Sequence, residues 1–208
     1  MSRLRLHYGS GSCALATHVA LEEAGADYEA VRVDLSAGEQ FSPAFLALNP
    51  KARVPVLETE QGPLTEVPAI LGYIAAVHPA ADLAPIDPFG LARMNAFNAW
   101  ISSTVHVAIA HGLRGYRWAD GEEARADMAA KAVTNYAECF DLIERTLQGG
   151  PWVLGDRFST SDIYLYLMTR WLPRIGLDSS DYARVVRHYG RMCERPAVQR
   201  ALAMQGLT

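Results

Sequence analysis

The chain of 208 residues is long enough for one large domain or two small ones with a sizeable core. Its residues are 50% hydrophobic and 20% charged, which is typical of a globular protein. The net charge of −4 does not indicate a nucleic-acid partner, and no apolar run approaches the ~18 residues of a membrane span. Three widely spaced cysteines form neither a disulfide framework nor a metal site, and they favour a reducing compartment. We therefore predict a cytoplasmic protein without a signal peptide, with no metal, no nucleic-acid partner and no membrane contact.

The N-terminal stretch predicts a strand that leads directly into a helix. Alternating apolar residues over 4–8 indicate the strand, and two glycines with two serines over 9–12 break this pattern. Helical periodicity begins at Cys13 and ends at Gly25, a residue suited to a helix C-terminus. The sequence therefore places a thiol in the first turn of a helix.

The position of Cys13 favours ionisation of its thiol. A helix N-terminus leaves backbone N–H groups unpaired and carries about half a positive charge. Both effects predict a thiol pKa below the ~8.5 of a free cysteine, and the same N–H groups could bind an anion or the thiolate of another molecule. The alternative is that Cys13 is a small buried hydrophobic residue, and its position alone does not decide between the two.

The rest of the N-terminal half continues to alternate between strands and helices. The predicted elements are a strand over 28–35, a helix over 43–48, strands over 53–58 and 64–65, and a helix over 68–77. The first of these strands completes a βαβ unit with the preceding strand and helix. Because a central strand tolerates proline poorly, Pro55 belongs at the beginning of its strand or on an edge. Since only about a twentieth of X–Pro bonds are cis, the residues alone favour a trans Val54–Pro55 bond.

The C-terminal half is predicted to be helical throughout. Three prolines without periodicity between 78 and 88 predict a linker, so we place one domain at 1–78, a linker at 79–88 and a second domain at 89–208. The predicted helices span 89–116, 122–147, 159–171, 180–193 and 196–204. The third of them begins with a capping-box-like Ser159–Asp162 and is apolar on most faces, so we expect it to form the core of its domain.

An α/β half with a thiol at its first helix start resembles the thioredoxin-like fold. A dithiol oxidoreductase would need a second cysteine at position 16, where this chain has Ala16. A single thiol cannot complete a disulfide cycle alone and needs an external thiol. Glutathione is the simplest candidate for this external thiol.

Several motifs in order along the chain strengthen the resemblance. They are Tyr8 with Gly11–His18, Asn49–Leu57, Leu64–Glu66 with Ala69–Ile70, Phe158–Asp162, Arg195–Gln199 and Gly206–Leu207. By these motifs the chain resembles the glutathione S-transferases, and most of all their bacterial beta class. The resemblance implies an N-terminal thioredoxin-like domain followed by a C-terminal helical bundle domain. It also implies glutathione as co-substrate and a homodimer.

The resemblance further implies where glutathione binds. The candidate binding residues are Tyr8, Arg53, Val54, Pro55, Glu66 and Val67. Pro55 resembles the family's cis-proline, and the residue before it pairs its backbone with the cysteinyl part of glutathione. Glu66 resembles the acid that holds the γ-glutamyl amino group, whereas Val67 stands where many members have a serine, so one hydroxyl contact is missing.

Four residues are candidates for catalysis. Cys13 resembles the beta-class cysteine that lies near the glutathione sulfur and can form a mixed disulfide with it. His106 resembles the beta-class histidine that faces that sulfur from the helical domain. We expect Ser12 or Ser10, with the local N–H groups, to hydrogen-bond the sulfur and increase its thiolate fraction.

The expected reaction is attack of the glutathione thiolate on a small hydrophobic electrophile. Leu113 and Trp171 are candidate lining residues of its apolar cleft. One alternative is a glutathione-dependent thiol reductase or dehalogenase in which Cys13 is the attacking group. The other is a non-catalytic binding module, which stays open because Ala99 and Val107 replace the asparagine and the lysine of the beta class.

Overall fold

The computed structural model describes residues 4–207, so residues 1–3 and 208 of the predicted domains lie outside the described residues. The strands are β1 (Leu4–Tyr8), β2 (Tyr28–Arg32), β3 (Val56–Thr59) and β4 (Gly62–Thr65). The helices are α1 (Ala14–Glu23), α2 (Pro43–Leu48), α3 (Val67–Val77), α4 (Pro88–Trp100), α5 (His106–Arg114), α6 (Glu122–Thr146), α7 (Thr160–Arg170), α8 (Ala183–Cys193) and α9 (Pro196–Gln205). The chain divides into two compact units. The first consists of the chain up to Ala84 and from Cys193 onward, and the second of Pro85–Met192.

The first unit is built on a four-stranded mixed sheet with the order β2-β1-β3-β4. Strand β1 pairs parallel with β2, which confirms the predicted βαβ unit, and antiparallel with β3, which in turn pairs antiparallel with β4. Helix α1 follows β1 directly and buries nearly all its residues. This is the predicted thioredoxin-like arrangement, and it places the turn between β1 and α1 beside the segment that enters β3.

Two strands are shorter than predicted, for local reasons. Strand β2 ends at Arg32 rather than at residue 35, because the carboxylate of Asp34 accepts hydrogen bonds from the N–H groups of Ser36 and Ala37 and turns the chain. Strand β3 begins at Val56, after a cis Val54–Pro55 bond. The trans bond expected from base rates is therefore wrong.

Helix α9 belongs to the first unit, although the sequence-based boundaries put it in the 89–208 domain. It packs against α1, where the guanidinium of Arg195 donates to both carboxylate oxygens of Glu23 at 2.5 and 2.9 Å. Arg200 also donates to the carboxylate of Glu22 at 2.6 Å. Such long-range ion pairs leave no trace in local periodicity, so the helical pattern of α9 could not reveal its partner.

Helix α7 forms the core of the second unit, as predicted, and every residue from Thr160 to Thr169 is buried. Its capping box is present, with the Asp162 carboxylate accepting the Ser159 N–H at 2.8 Å. The other Asp162 oxygen accepts the Val153 N–H at 2.8 Å and lies 3.1 Å from Nε2 of His188. The first turn of α7 is therefore fixed by buried polar contacts.

The predicted helix over 89–116 is interrupted. A π-helical turn at Ile101–Val105 separates α4 from α5. Ser102, Ser103 and Thr104 occupy the centre of this turn, and hydroxyl side chains of this kind compete with helical backbone hydrogen bonds. The interruption ends at His106, one of the candidate catalytic residues.

All three cysteines are thiols rather than disulfides, and Cys139 is buried in α6. Within residues 4–207, no helix is both long enough and apolar enough to traverse a lipid bilayer.

Candidate active site

The turn from β1 into α1 brings Cys13 against the segment before β3. Cys13 directly precedes α1, and its half-buried thiol donates to the carbonyl oxygen of Val54 at 3.3 Å. Val54 directly precedes the cis peptide bond to Pro55. The structure thus joins three of the predicted site residues in one place.

The two candidate serines use their hydroxyl protons elsewhere. Ser12 Oγ donates to the carbonyl of Gly9 at 2.7 Å and accepts the N–H of Ala14 at 3.2 Å. Ser10 Oγ donates to the carbonyl of Gln205 at 2.7 Å. Either hydroxyl would have to exchange its acceptor before it could donate to a sulfur, so their role toward the glutathione thiol stays a prediction.

The C-terminal end of α9 forms hydrogen bonds with the turn between β1 and α1. The Gln205 side chain accepts the N–H of Gly11 at 3.1 Å, and its amide nitrogen lies 3.0 Å from Nδ1 of the buried His18. Burial lowers the pKa of His18 to about 4, so its ring is neutral and Nδ1 can accept from the amide. Tyr8 OH donates to the carbonyl of Met204 on the same helix at 3.4 Å. Gln205 was not predicted, and a glutamine at a helix end has no pattern that would reveal it.

Glu66 occupies the sharpest connection of the first unit. It is the single residue between β4 and α3, and its φ of 72° lies in the left-handed region that residues other than glycine rarely adopt. Such a conformation costs about 1–3 kcal/mol and is found mainly at functional sites. The Glu66 side chain is 62% exposed and is therefore accessible to a ligand. Val67, the first residue of α3, is buried.

Lys51 was missed as a site residue although it lies within a recognised motif. Its ammonium group donates to the Glu66 carboxylate and to Thr65 Oγ1, the latter at 2.7 Å. The Asn49 side chain shapes this loop by accepting the Lys51 N–H at 3.1 Å and donating to the Arg53 carbonyl at 2.7 Å. Arg53 itself is exposed. One feature of the sequence could have revealed Lys51: the chain has only two lysines, and one of them lies in this loop.

In the second unit, His106 packs against Trp171. Their ring centroids are 5.1 Å apart, and His106 Nε2 lies 3.3 Å from Nη2 of Arg114. Burial and the charges of Arg114 and Arg117 lower the pKa of His106 to about 4, so the imidazole is neutral near pH 7. Trp171 is buried, whereas Leu113, the other candidate lining residue, is exposed.

Residues 4–207 contain no group of three or more histidine, cysteine, aspartate or glutamate side chains arranged to hold a metal ion. The groups that lie close together in the first unit are the Cys13 thiol with the Val54 main chain, and the Glu66 carboxylate with the Lys51 ammonium group.

The fold and the site define a thioredoxin-like unit with one thiol, Cys13, at the start of its first helix, and a second unit that is helical. Family models for the glutathione S-transferase N-terminal and C-terminal domains match residues 4–76 and 95–196. The glutathione S-transferase GstA of Escherichia coli O157:H7 is 30% identical, covering 98% of this chain and 100% of that protein.

Two solved structures are similar over nearly all of both chains. A glutathione transferase homologue from Sulfitobacter with bound glutathione is 39% identical with a TM-score of 0.94, covering 100% of each chain. A bacterial beta class glutathione S-transferase from Sphingomonas chungbukensis is 35% identical with a TM-score of 0.87, covering 98% of this chain and 100% of that one. The chain belongs to the glutathione S-transferase family and is an enzyme of that kind.

Proposed function

We propose that the first unit binds glutathione beside Cys13, Val54 and Pro55, and that the enzyme joins the glutathione sulfur to an electrophilic carbon. The observation that carries this proposal is the 3.3 Å approach of the Cys13 thiol to the Val54 carbonyl, immediately before the cis-proline. A peptide-like ligand that pairs its main chain with Val54 would have its sulfur close to the start of α1. Within the described part of the chain the Val54 N–H donates no hydrogen bond, so it is available to such a ligand.

The reaction is a displacement at an electrophilic carbon. The glutathione thiol loses its proton to solvent, the thiolate forms a carbon–sulfur bond, and the leaving group departs with its bonding electron pair. The N-terminus of α1 is the positive end of the helix dipole, and its field favours the thiolate. The protein also fixes the position of the sulfur, which lowers the entropic cost of the attack.

The γ-glutamyl end of glutathione, with one ammonium and one carboxylate group, fits the ion pair of Lys51 and Glu66. Both partners are about half exposed, so a zwitterionic ligand can insert between them with little desolvation. Glu66 would then hold the ammonium group, while Lys51 and the N-terminus of α3 hold the carboxylate. The strained backbone of Glu66 supports this assignment, because strain of this kind is retained where it orients a functional group.

Calorimetry with reduced glutathione tests the binding proposal. We expect Glu66→Ala to weaken binding about tenfold or more, the loss of one charge-assisted hydrogen bond. Glu60→Ala, an exposed glutamate of the same unit, is the matched control and should leave binding unchanged. Absence of binding by the unsubstituted chain at millimolar glutathione would contradict the proposal and favour a non-catalytic module.

Cys13 gives the site a second activity to test, thiol–disulfide exchange. Its thiolate would attack one sulfur of a disulfide, forming one sulfur–sulfur bond, breaking the other and releasing a thiolate. A ligand that takes the Val54 carbonyl as acceptor would compete with the Cys13 thiol for it, so ligand binding would weaken that contact of the thiol. We expect Cys13→Ser to abolish exchange and retain conjugation, with Cys193→Ser as control. Loss of conjugation in Cys13→Ser would instead favour the reductase or dehalogenase mechanism.

Three further parts of the proposal concern the assembly and its surroundings. A homodimer is expected from the resemblance, and light scattering of the purified chain measures it. The cytoplasmic location is supported by the three cysteine thiols. His106 is assigned a role in the reaction as a neutral imidazole, which the pH dependence of turnover examines.

A further inference from the structure

Helix α9 ends against the stretch of the first unit that leads into α1. Gly206, with a φ of 65° in the left-handed region, terminates the helix. The last carbonyl groups of a helix have no N–H partner inside it, so they take partners from elsewhere. Here the carbonyl of Met204 accepts the Tyr8 hydroxyl at 3.4 Å, and that of Gln205 accepts the Ser10 hydroxyl at 2.7 Å. The C-terminus of α9 is therefore fixed on the residues that precede Cys13 in the sequence.

The side chain of Gln205 makes a further contact with this stretch, and the contact has one allowed orientation. A backbone N–H can only donate, so the amide oxygen of Gln205 must face the Gly11 N–H, at 3.1 Å. The amide nitrogen then faces Nδ1 of the buried His18 at 3.0 Å, and the neutral ring accepts there. The reverse orientation would place two donors against each other at Gly11. His18 therefore keeps the amide oxygen of Gln205 directed at Gly11.

The turn between β1 and α1 needs such external contacts because of its composition. Residues 9–12 are two glycines and two serines, and glycine has the widest choice of backbone conformations. Gly11 adopts a φ of 65°, again in the left-handed region. Cys13 follows two residues later, with its thiol 3.3 Å from the Val54 carbonyl. The hydrogen bond from Gly11 to Gln205 therefore restricts the backbone that sets the position of the thiol and of the α1 N-terminus.

We propose that Gln205 is a positioning residue of the transferase reaction, which acts through the Gly11 N–H to fix the turn where the glutathione sulfur is activated. The inference rests on the proposed transferase function, which puts that sulfur close to the start of α1. Gln205 acts on the backbone of the turn rather than on the sulfur itself. Because a displacement of about 1 Å at a reacting group can cost about a hundredfold in rate, loss of this hydrogen bond should reduce turnover.

Binding and turnover of Gln205→Leu, measured well below its melting temperature, test the proposal. The Kd for reduced glutathione by calorimetry should stay within about twofold, because the ion pair of Lys51 and Glu66 lies outside the turn. The kcat with 1-chloro-2,4-dinitrobenzene at saturating glutathione should fall about tenfold or more. Ionisation of the bound glutathione thiol, followed by the ultraviolet absorbance of the thiolate, should move to higher pH. A merely structural role would change the amount of folded protein and none of these three quantities.

Further variants assign the effect to the hydrogen bond with Gly11. Gln205→Glu keeps an oxygen that can accept the Gly11 N–H and loses only the donor to His18, so it should recover most of the kcat. Gln199→Leu, at an exposed position of the same helix, should leave kcat unchanged. Val198→Ala removes buried packing of α9 but no hydrogen bond to the turn, so it should lower the melting temperature and not kcat.

The outcomes separate this inference from the proposed function. Equal kcat for Gln205→Leu and Gln199→Leu overturns the inference and leaves the transferase function intact. Equal losses of kcat in Gln205→Leu and Val198→Ala, or a Gln205→Glu variant as slow as Gln205→Leu, also overturn it. If Gln205→Leu does not fold, Gln205→Asn takes its place, because its amide is one methylene shorter and should lower kcat in the same direction. Failure of the unsubstituted chain to bind glutathione, together with no turnover, overturns the proposed function itself.

Discussion

Gln205 is expected to be the most important single side chain for the stability of the turn between β1 and α1. Its buried amide makes two hydrogen bonds, at 3.1 Å to the Gly11 N–H and 3.0 Å to His18 Nδ1. Gln205→Leu keeps a similar volume and the main-chain carbonyl that accepts from Ser10, but it removes the partner of the buried His18 Nδ1 and the bond to the part-buried Gly11 N–H. At about 1–3 kcal/mol for the unsatisfied buried group and about 0.5–1.5 kcal/mol for the lost hydrogen bond, the loss is about 1.5–4.5 kcal/mol.

Thermal unfolding followed by circular dichroism measures the effect. For a chain of this length, about 2–4 °C per kcal/mol predicts a melting temperature lower by about 3–18 °C. Gln199→Leu is the matched control on the same helix, because Gln199 is exposed and donates only to the Cys193 carbonyl at 3.1 Å. The free energy of unfolding of Gln199→Leu should lie within about 0.5 kcal/mol of that of the unsubstituted protein. Equal melting temperatures for Gln205→Leu and Gln199→Leu would refute the reasoning.

Three other predictions concern titration and strain. Because the pKa of His18 is about 4 when folded and 6.5 ordinarily, the unfolded state binds its proton first as the pH falls. The free energy of unfolding should therefore fall as the pH falls from 6.5 to 4. In urea titrations, its decrease between pH 7 and 5 should be about 2 kcal/mol smaller for His18→Asn than for the unsubstituted protein. For His106, already neutral above pH 6, His106→Asn should lower kcat without changing the shape of its pH profile between 6 and 8; disappearance of a step there would contradict this. Finally, Glu66→Gly should be about 1 kcal/mol more stable than Glu66→Ala, because glycine adopts the positive φ without strain, while both weaken glutathione binding. Equal melting temperatures would show that Glu66 stores no strain.

Local patterns predicted most elements of the fold, because most elements have local causes. The βαβ unit, the Ser159–Asp162 capping box and the core helix α7 all follow from periodicity and end signals. The position of Cys13 at the start of α1 was predicted in the same way. The resemblance to a family added the cis Val54–Pro55 bond, which base rates argued against.

What sequence reasoning missed depends on distant contacts. The π-helical turn at Ile101–Val105 interrupts a continuous apolar period, so periodicity alone could not detect it. Lys51 and Glu66 are fifteen residues apart and become partners only through the β3–β4 hairpin. Gln205 acts on residues almost the whole chain away.

The order of synthesis gives the placement of α9 a further meaning. A ribosome produces α1 early, but Gln205 emerges only after the whole intervening segment Pro85–Met192 has been made. A nascent chain that has completed its sheet therefore still lacks the amide that fixes Gly11 and His18. The thiol-bearing turn of this enzyme reaches its final geometry only after α9 has been made, so an incomplete chain released before α9 would carry Cys13 on a loosely held loop.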